Sequence, residues 1–292
     1  MASMRDIKRR KDSITSTSQI TKAMKLVSTV KLQKSKSRAE ESKPYFQSMY
    51  STVASILTKS GELNHPFLHG NESSKKAVIV ITSNRGLAGG YNANVVKLLL
   101  QGDFKKEDTL IFAIGRKGKE ALHRRGYTIV SDDSEVMNNP LYSDAASIGA
   151  RVLEAFTNGE IGEIYLAYTI FKNTVSHIPT LKRLLPVETV LNDASLDEEE
   201  QDPYDAMTLM DFETEAEETL ELLIPKYVKS LIYGALIEAL ASENGARMQA
   251  MDSATNNANE MIDNLSLSYN RARQASITQE ITEIVAGASA IS

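Results

Sequence analysis

From about Lys226 to its C-terminus the chain contains no proline, and glycine appears only at Gly234, Gly245 and Gly287. Within that stretch Met248, Met251, Thr255, Ala258, Ile262, Leu265, Tyr269 and Ala272 recur at 3-4-3-4-3-4-3 spacing, a heptad seam. A helix of roughly 60 residues is roughly 90 Å long at about 1.5 Å per residue. A domain of this size cannot bury such a rod, so the helix is expected to project and to need a partner. Pro225, just upstream, is expected to break or kink it near its start.

A partner is available at the other end of the chain. Residues from about Ser3 to Leu57 contain one proline, Pro44, and no glycine. Ile7, Ile14, Thr17, Thr21, Met24 and Ser28 follow 7-3-4-3-4 spacing, a thinner and partly polar seam, and Ile20 and Val27 sit one position off it. Up to Lys43 this segment carries twelve basic residues against four acids, a net +8. Two such segments can pair as an antiparallel coiled coil. The C-terminal helix is the longer, so its tip, Ile281 to Ile291, is expected to extend alone. That tip is rich in Ala, Ile and Val. An exposed apolar tip is a liability unless a sleeve receives it.

The middle of the chain reads differently. Ala77–Ser83, Thr109–Ile114, Tyr127–Val130 and Glu163–Phe171 read as strands, with a further edge piece near Leu181 to Val187. Asn92–Leu100, Lys117–Arg125 and Asp144–Phe156 read as helices between them. The alternation predicts a small, Rossmann-like open α/β sheet with parallel crossovers. From Asn192 to Glu221 there are thirteen acids and no Lys or Arg, so this block repels itself and reads as a linker. The expected division is a coiled-coil helix over 1–58, an α/β domain over 59–191, an acidic linker over 192–207 and a second coiled-coil helix over 208–292.

Several chemistries are excluded or weakened. There is no cysteine, which rules out disulfides and thiolate metal sites. No apolar run approaches the roughly 18–20 residues that cross a bilayer. The helical pattern starts near Arg5, so no removable leader is expected. Asn84–Tyr91 (NRGLAGGY) follows a strand and precedes a helix, the context of a phosphate cradle. It lacks both a GxGxxG pattern and a Walker ending, and reads better as a tight turn. His65 and His69 are four apart, but Pro66 opposes a helix there and no third ligand is near. No metal, cofactor or catalytic residue is expected. The basic N-terminal helix suits nucleic acid, an acidic protein partner or plain solvation; it lacks the interleaved aromatics of single-strand binders.

Three motifs carry a resemblance. Ile20–Thr29 (ITKAMKLVST) resembles the N-terminal helix signature of the gamma subunits of F-type ATP synthases, bacterial type. Ile81–Asn92 (ITSNRGLAGGYN) resembles the first strand and turn of their middle domain, and Tyr269–Ala290 (YNRARQASITQEITEIVAGASA) resembles their C-terminal signature. The family often has Asp where Asn84 stands and Cys where Ala88 stands; neither departure touches a catalytic position. The resemblance implies a non-catalytic rotor shaft within a proton-transporting ATP synthase. It implies a chain peripheral to the cytoplasmic face of the cell membrane. The implied partners are the alpha and beta subunits of the catalytic ring, the epsilon subunit and the membrane ring of c subunits, with no nucleic acid. By motif, Lys22, Met24 and Lys25 lie where the N-terminal helix meets acidic loops of the beta subunits. Arg273, Gln274, Thr278, Glu280 and Glu283 lie where the C-terminal helix meets the neck of the ring. Two other readings of the residues are an α/β nucleotide-binding enzyme with helical oligomerisation arms and a basic coiled-coil scaffold for nucleic acid.

Overall fold

The computed structural model of the chain describes residues 4–59, 66–187 and 216–291. The acidic linker over 192–207, the expected start at 208 and His65 lie outside the described residues; the expected end of the first helix at 58 falls one residue before its end at Lys59. Contacts divide the chain into two compact units. One comprises 1–29 and 247–292, the other 30–246. Helix α1 runs Met4–Lys59 and helix α6 runs Ala216–Ile291, and both units take part of each. Pro225 does not end α6, which begins nine residues before it and continues past it.

The larger unit is built on a five-stranded sheet. Its elements are α2 (Pro66–His69), β1 (Lys76–Ile81), α3 (Tyr91–Gln101), β2 (Thr109–Ile114), α4 (Arg116–His123), β3 (Thr128–Asp132), a 3-10 turn (Ser134–Asn138), α5 (Tyr142–Thr157), β4 (Glu163–Phe171) and β5 (His177–Leu185). Spatial order is β3-β2-β1-β4-β5. The first four strands are parallel, and β5 returns antiparallel to β4. The expected strands and helices are all present, within a few residues of the expected limits. Pro179 falls inside β5, where only an edge strand tolerates the missing donor.

Strand β1 explains why its sequence does not alternate. Ala77, Ile79 and Ile81 enter one core with α5, while Val78 and Val80 enter another with α3. A parallel strand buried on both faces reads as a continuous apolar run. The first core also takes Leu220, Ile224, Val228, Ile232, Leu236 and Ala239 of α6. The early part of α6 is therefore a layer of the α/β domain, whereas its sequence reads as one uninterrupted coil-forming helix. Its apolar stripe simply changes partner along the helix.

One half-buried acid stands out within this unit. Glu238 of α6 faces Tyr168 of β4, Lys182 of β5 and Lys43 of α1, and its Oε2 is buried without a hydrogen-bond partner. One turn on, Ser242 Oγ donates to the Thr169 carbonyl at 3.1 Å. Burial pushes the Glu238 pKa from 4.5 up to about 7, and the Lys182 and Lys43 charges oppose that rise without cancelling it. The raised value means folding favours the protonated acid. Its contribution is complete below about pH 4.5 and is lost as pH rises through about 7. Glu238→Gln imitates the protonated form at every pH. The variant is expected to flatten the decline of thermal stability across that interval, gaining on the order of 2–3 kcal/mol at pH 8. Melting curves of both proteins from pH 4 to 8 check this; parallel curves would rule out a raised Glu238 pKa.

Candidate functional site

The smaller unit is an antiparallel pair of helices whose seam is polar. Ser18 Oγ donates to Asn259 Oδ1 at 2.8 Å, Thr21 and Thr255 share a hydrogen bond at 2.8 Å, and Lys25 Nζ reaches Asp252 Oδ1 at 2.6 Å. Residue numbers rise on α1 as they fall on α6, which fixes the antiparallel sense. Ser18, Thr21 and Ser28 are buried, while Leu26 (61% exposed), Val27 (57%) and Ile20 (60%) face outward. On this stretch of α1 polar side chains thus face inward and apolar ones outward.

The seam expected on α1 is largely present: Thr21 and Ser28 are buried and Ile7, Ile14 and Met24 half-buried. Thr17 is the exception, being exposed; Ser18 and Lys25, which the expected spacing passes over, face α6 as well. On α6 the expected seam is present: Met251, Thr255 and Ala258 are buried, and Met248, Ile262, Leu265, Tyr269 and Ala272 are half-buried. The difference is that α6 keeps apolar residues at most of its seam positions.

The implied contact residues fall at two levels. Lys22 is exposed, Met24 half-buried, and Lys25 partly covered by its ion pair with Asp252. Arg273, Gln274, Thr278, Glu280 and Glu283 are all exposed. Thr278 Oγ1 donates to the Gln274 carbonyl at 2.9 Å, and Gln279 Nε2 to Glu283 Oε1 at 2.9 Å. These bonds run along α6 and leave the group facing outward. In the pairing register Lys22 stands near Thr255, so Arg273 lies about 27 Å further along the helix at 1.5 Å per residue. The structure does not bring the two groups together; it stacks them along one coil. Past about Arg273, α6 runs beyond the described start of α1 at Met4, and Ile277, Ile281, Ile284 and Val285 are exposed.

The turn that resembles a phosphate cradle leads into α3, where Tyr91 N donates to the Ala88 carbonyl at 3.2 Å and Asn94 N to the Gly90 carbonyl at 2.9 Å. The first amides of α4 are taken by the chain leaving β1: Arg116 N donates to Asn84 Oδ1, Lys117 N to the Ser83 carbonyl, and Gly118 N to Thr82 Oγ1. On the other side Asn92 Oδ1 accepts from Ser83 N, and the buried Tyr91 hydroxyl donates to the Ala239 carbonyl. Helix N-termini bind phosphate through free amides; those of α4 are committed, and the turn before α3 carries neither a GxGxxG pattern nor a Walker ending. The cap residues precede α4 by about 30 positions, so no local signal could have announced them. The full chain is expected to show no saturable binding of ATP, ADP or NAD in equilibrium dialysis. Micromolar binding of any of them would favour the enzyme reading. Among the described residues no group of three or more His, Asp or Glu could hold a metal ion, and no helix is long and apolar enough to cross a membrane.

Comparisons with known proteins agree along the whole chain. The family profile described as ATP synthase matches residues 3–291. The chain is 67% identical over 293 residues to the ATP synthase gamma chain of Lachnoclostridium phytofermentans, covering all of both proteins. It is 44% identical to the sodium-ion-specific gamma chain of Acetobacterium woodii, covering 99% of this chain and 98% of that one. Its fold is similar to a chain of the Euglena gracilis mitochondrial ATP synthase, with a TM-score of 0.68 at 18% identity over 99% of this chain and 94% of that one. A central-stalk chain of the Tetrahymena thermophila enzyme gives a TM-score of 0.57 at 23% identity, covering 80% and 99%. With the strand order, the paired terminal helices and a full-length relative this near, the chain belongs to the ATP synthase gamma chain family.

Proposed function

We propose that this chain is the non-catalytic central shaft of an F-type ATP synthase. The observation that carries the reading is an antiparallel coil that leaves Ile20, Leu26 and Val27 exposed and ends in an exposed apolar tip, in a chain of this family. Such a surface needs a sleeve, and the alpha and beta subunits of a catalytic ring supply one. The shaft is not symmetric, so at any angle it contacts each beta subunit differently. Conformations change only when contacts differ between them in free energy. Rotation therefore changes which catalytic site is favoured for binding, reaction or release.

In this reading Lys22, Met24 and Lys25 meet acidic loops of the beta subunits. An ammonium has three donors, so Lys25 can serve both Asp252 and a passing carboxylate. Arg273, Gln274, Thr278, Glu280 and Glu283 meet the neck of the ring. Exposed ion pairs are individually weak, about 1 kcal/mol or less, which suits contacts made and broken each turn. The unit carrying the sheet takes the epsilon subunit and the membrane ring of c subunits. The chain thus sits peripherally at the cytoplasmic face of the cell membrane. The helices within 1–58 and 208–292 carry the shaft, 59–191 together with the early part of α6 is the docking domain, and 192–207 is the linker in the sequence.

The absence of a GxGxxG or Walker pattern in the turn before α3 counts against the enzyme reading, and no observation favours the nucleic-acid scaffold. The test is purification of the tagged chain from its membrane. Recovery of alpha and beta subunits in one complex that hydrolyses ATP supports the shaft. Recovery of the chain alone, or salt-sensitive DNA binding by it, contradicts it.

A further inference from the structure

We infer that the polar rungs Ser18–Asn259, Thr21–Thr255 and Lys25–Asp252 form a register lock that keeps the two helices turning as one body under torque, with Asp252 as the positioning residue for Lys25. This rests on the shaft reading. Apolar seams are non-directional, so packed helices can slide along one another at small cost. Twisting a two-helix coil drives that slide. Hydrogen bonds are directional, and polar groups at seam positions specify register.

The three rungs are chemically distinct: hydroxyl to amide at 2.8 Å, hydroxyl to hydroxyl at 2.8 Å, and ammonium to carboxylate at 2.6 Å. A slip of one heptad would set Lys25 level with Asn259 and leave Asp252 opposite Leu32. Only one register satisfies all three rungs. The choice of residues at this stretch also has a cost that the lock explains. Ile20, Leu26 and Val27 are exposed although they would fill a seam well. Apolar residues outside leave the surface free of strong bonds to whatever it turns against. Polar residues inside hold the two helices to each other. The functional load on Lys25 is then partly internal: Asp252 fixes where its charge sits.

The test uses membrane vesicles carrying the whole complex with Lys25→Asp, Asp252→Lys, and the two together. Each single reversal sets like charges opposite each other; the pair restores attraction with the signs exchanged. The readout is ions pumped per ATP hydrolysed, which a loss of assembled complex does not change. The lock predicts about a twofold or larger fall for each single reversal and recovery in the pair. A pair as impaired as Lys25→Asp alone would mean that the lysine acts on the ring rather than on Asp252, and would overturn the inference. Normal ratios in both single variants would overturn it equally. If a single reversal removes the complex from the membrane, Thr21→Val with Thr255→Val decides, since it keeps the shape and deletes the middle rung. A reduced ratio supports the lock and an unchanged ratio refutes it. Absence of ATP-driven pumping in the unmodified complex would instead remove the shaft reading, and the lock with it.

Discussion

Replacing Met24 with lysine should leave the complex assembled and hydrolysing ATP while sharply lowering the ions it pumps for each ATP. Met24 is half-buried on α1, beside the exposed Lys22 and one residue before Lys25. In the shaft reading it passes acidic loops of the beta subunits. A thioether is a weak acceptor and no donor, so it slides past a carboxylate without holding it. A lysine adds a donor that can form a charge-assisted hydrogen bond of about 1.5–3 kcal/mol. Breaking that bond at each step slows escape from the favoured angle by roughly 10- to 100-fold. Hydrolysis then proceeds with slippage. Vesicles carrying Met24→Lys are the test, with proton or sodium uptake measured against phosphate release. Normal pumping per ATP would show that Met24 is not at a moving contact. Loss of the complex from the membrane would show that it is only structural.

The second large effect concerns stability. Gly115→Ala is expected to destabilise the α/β unit by at least about 3 kcal/mol. Gly115 joins β2 to α4 with φ +105°, a conformation that side-chain-bearing residues rarely adopt. A Cβ there would lie 1.9 Å from the Thr82 carbonyl oxygen. Nothing flexible can move aside, because the same residue's Oγ1 holds the Gly118 amide at 2.8 Å and its amide donates to the Ile114 carbonyl. For a unit of this size the loss lowers the melting temperature by roughly 6–12 °C. Gly287→Ala is the matched control, since a Cβ there meets nothing within 4 Å. It should be neutral or slightly stabilising for its helix. Equal melting temperatures for Gly115→Ala and the unmodified chain would show that the β2–α4 junction is looser than described.

How much of this was legible depended on whether the signal was local. Strands β2 and β4 run Thr109–Ile114 and Glu163–Phe171, as their β-branched and aromatic runs predict. Strand β5 starts at His177, earlier than the expected Leu181, because its first half is partly exposed and holds Pro179. The α6 seam was readable because most of its positions are apolar. On α1 the spacing picked out Thr21 and Ser28 but not Ser18 or Lys25, which look like surface residues until Asn259 and Asp252 are set opposite them. The same holds for the cap of α4. Nothing near Arg116 announces that Asn84, Ser83 and Thr82 will occupy its amides. The implied contact residues came from motifs; that Lys22 and the five on α6 are exposed, at two levels of the coil, while Met24 and Lys25 are half-buried came from the structure.

The central claim is that the chain turns inside the ring, and rotation itself can be watched. The chain has no cysteine, so one introduced thiol is a unique handle. Val175, 71% exposed in the turn between β4 and β5, is a suitable position. With the alpha–beta ring fixed to a surface and a bead attached through Val175→Cys, added ATP should turn the bead in one direction in discrete steps. A bead that only fluctuates in place while the ring hydrolyses ATP at its usual rate would contradict the account.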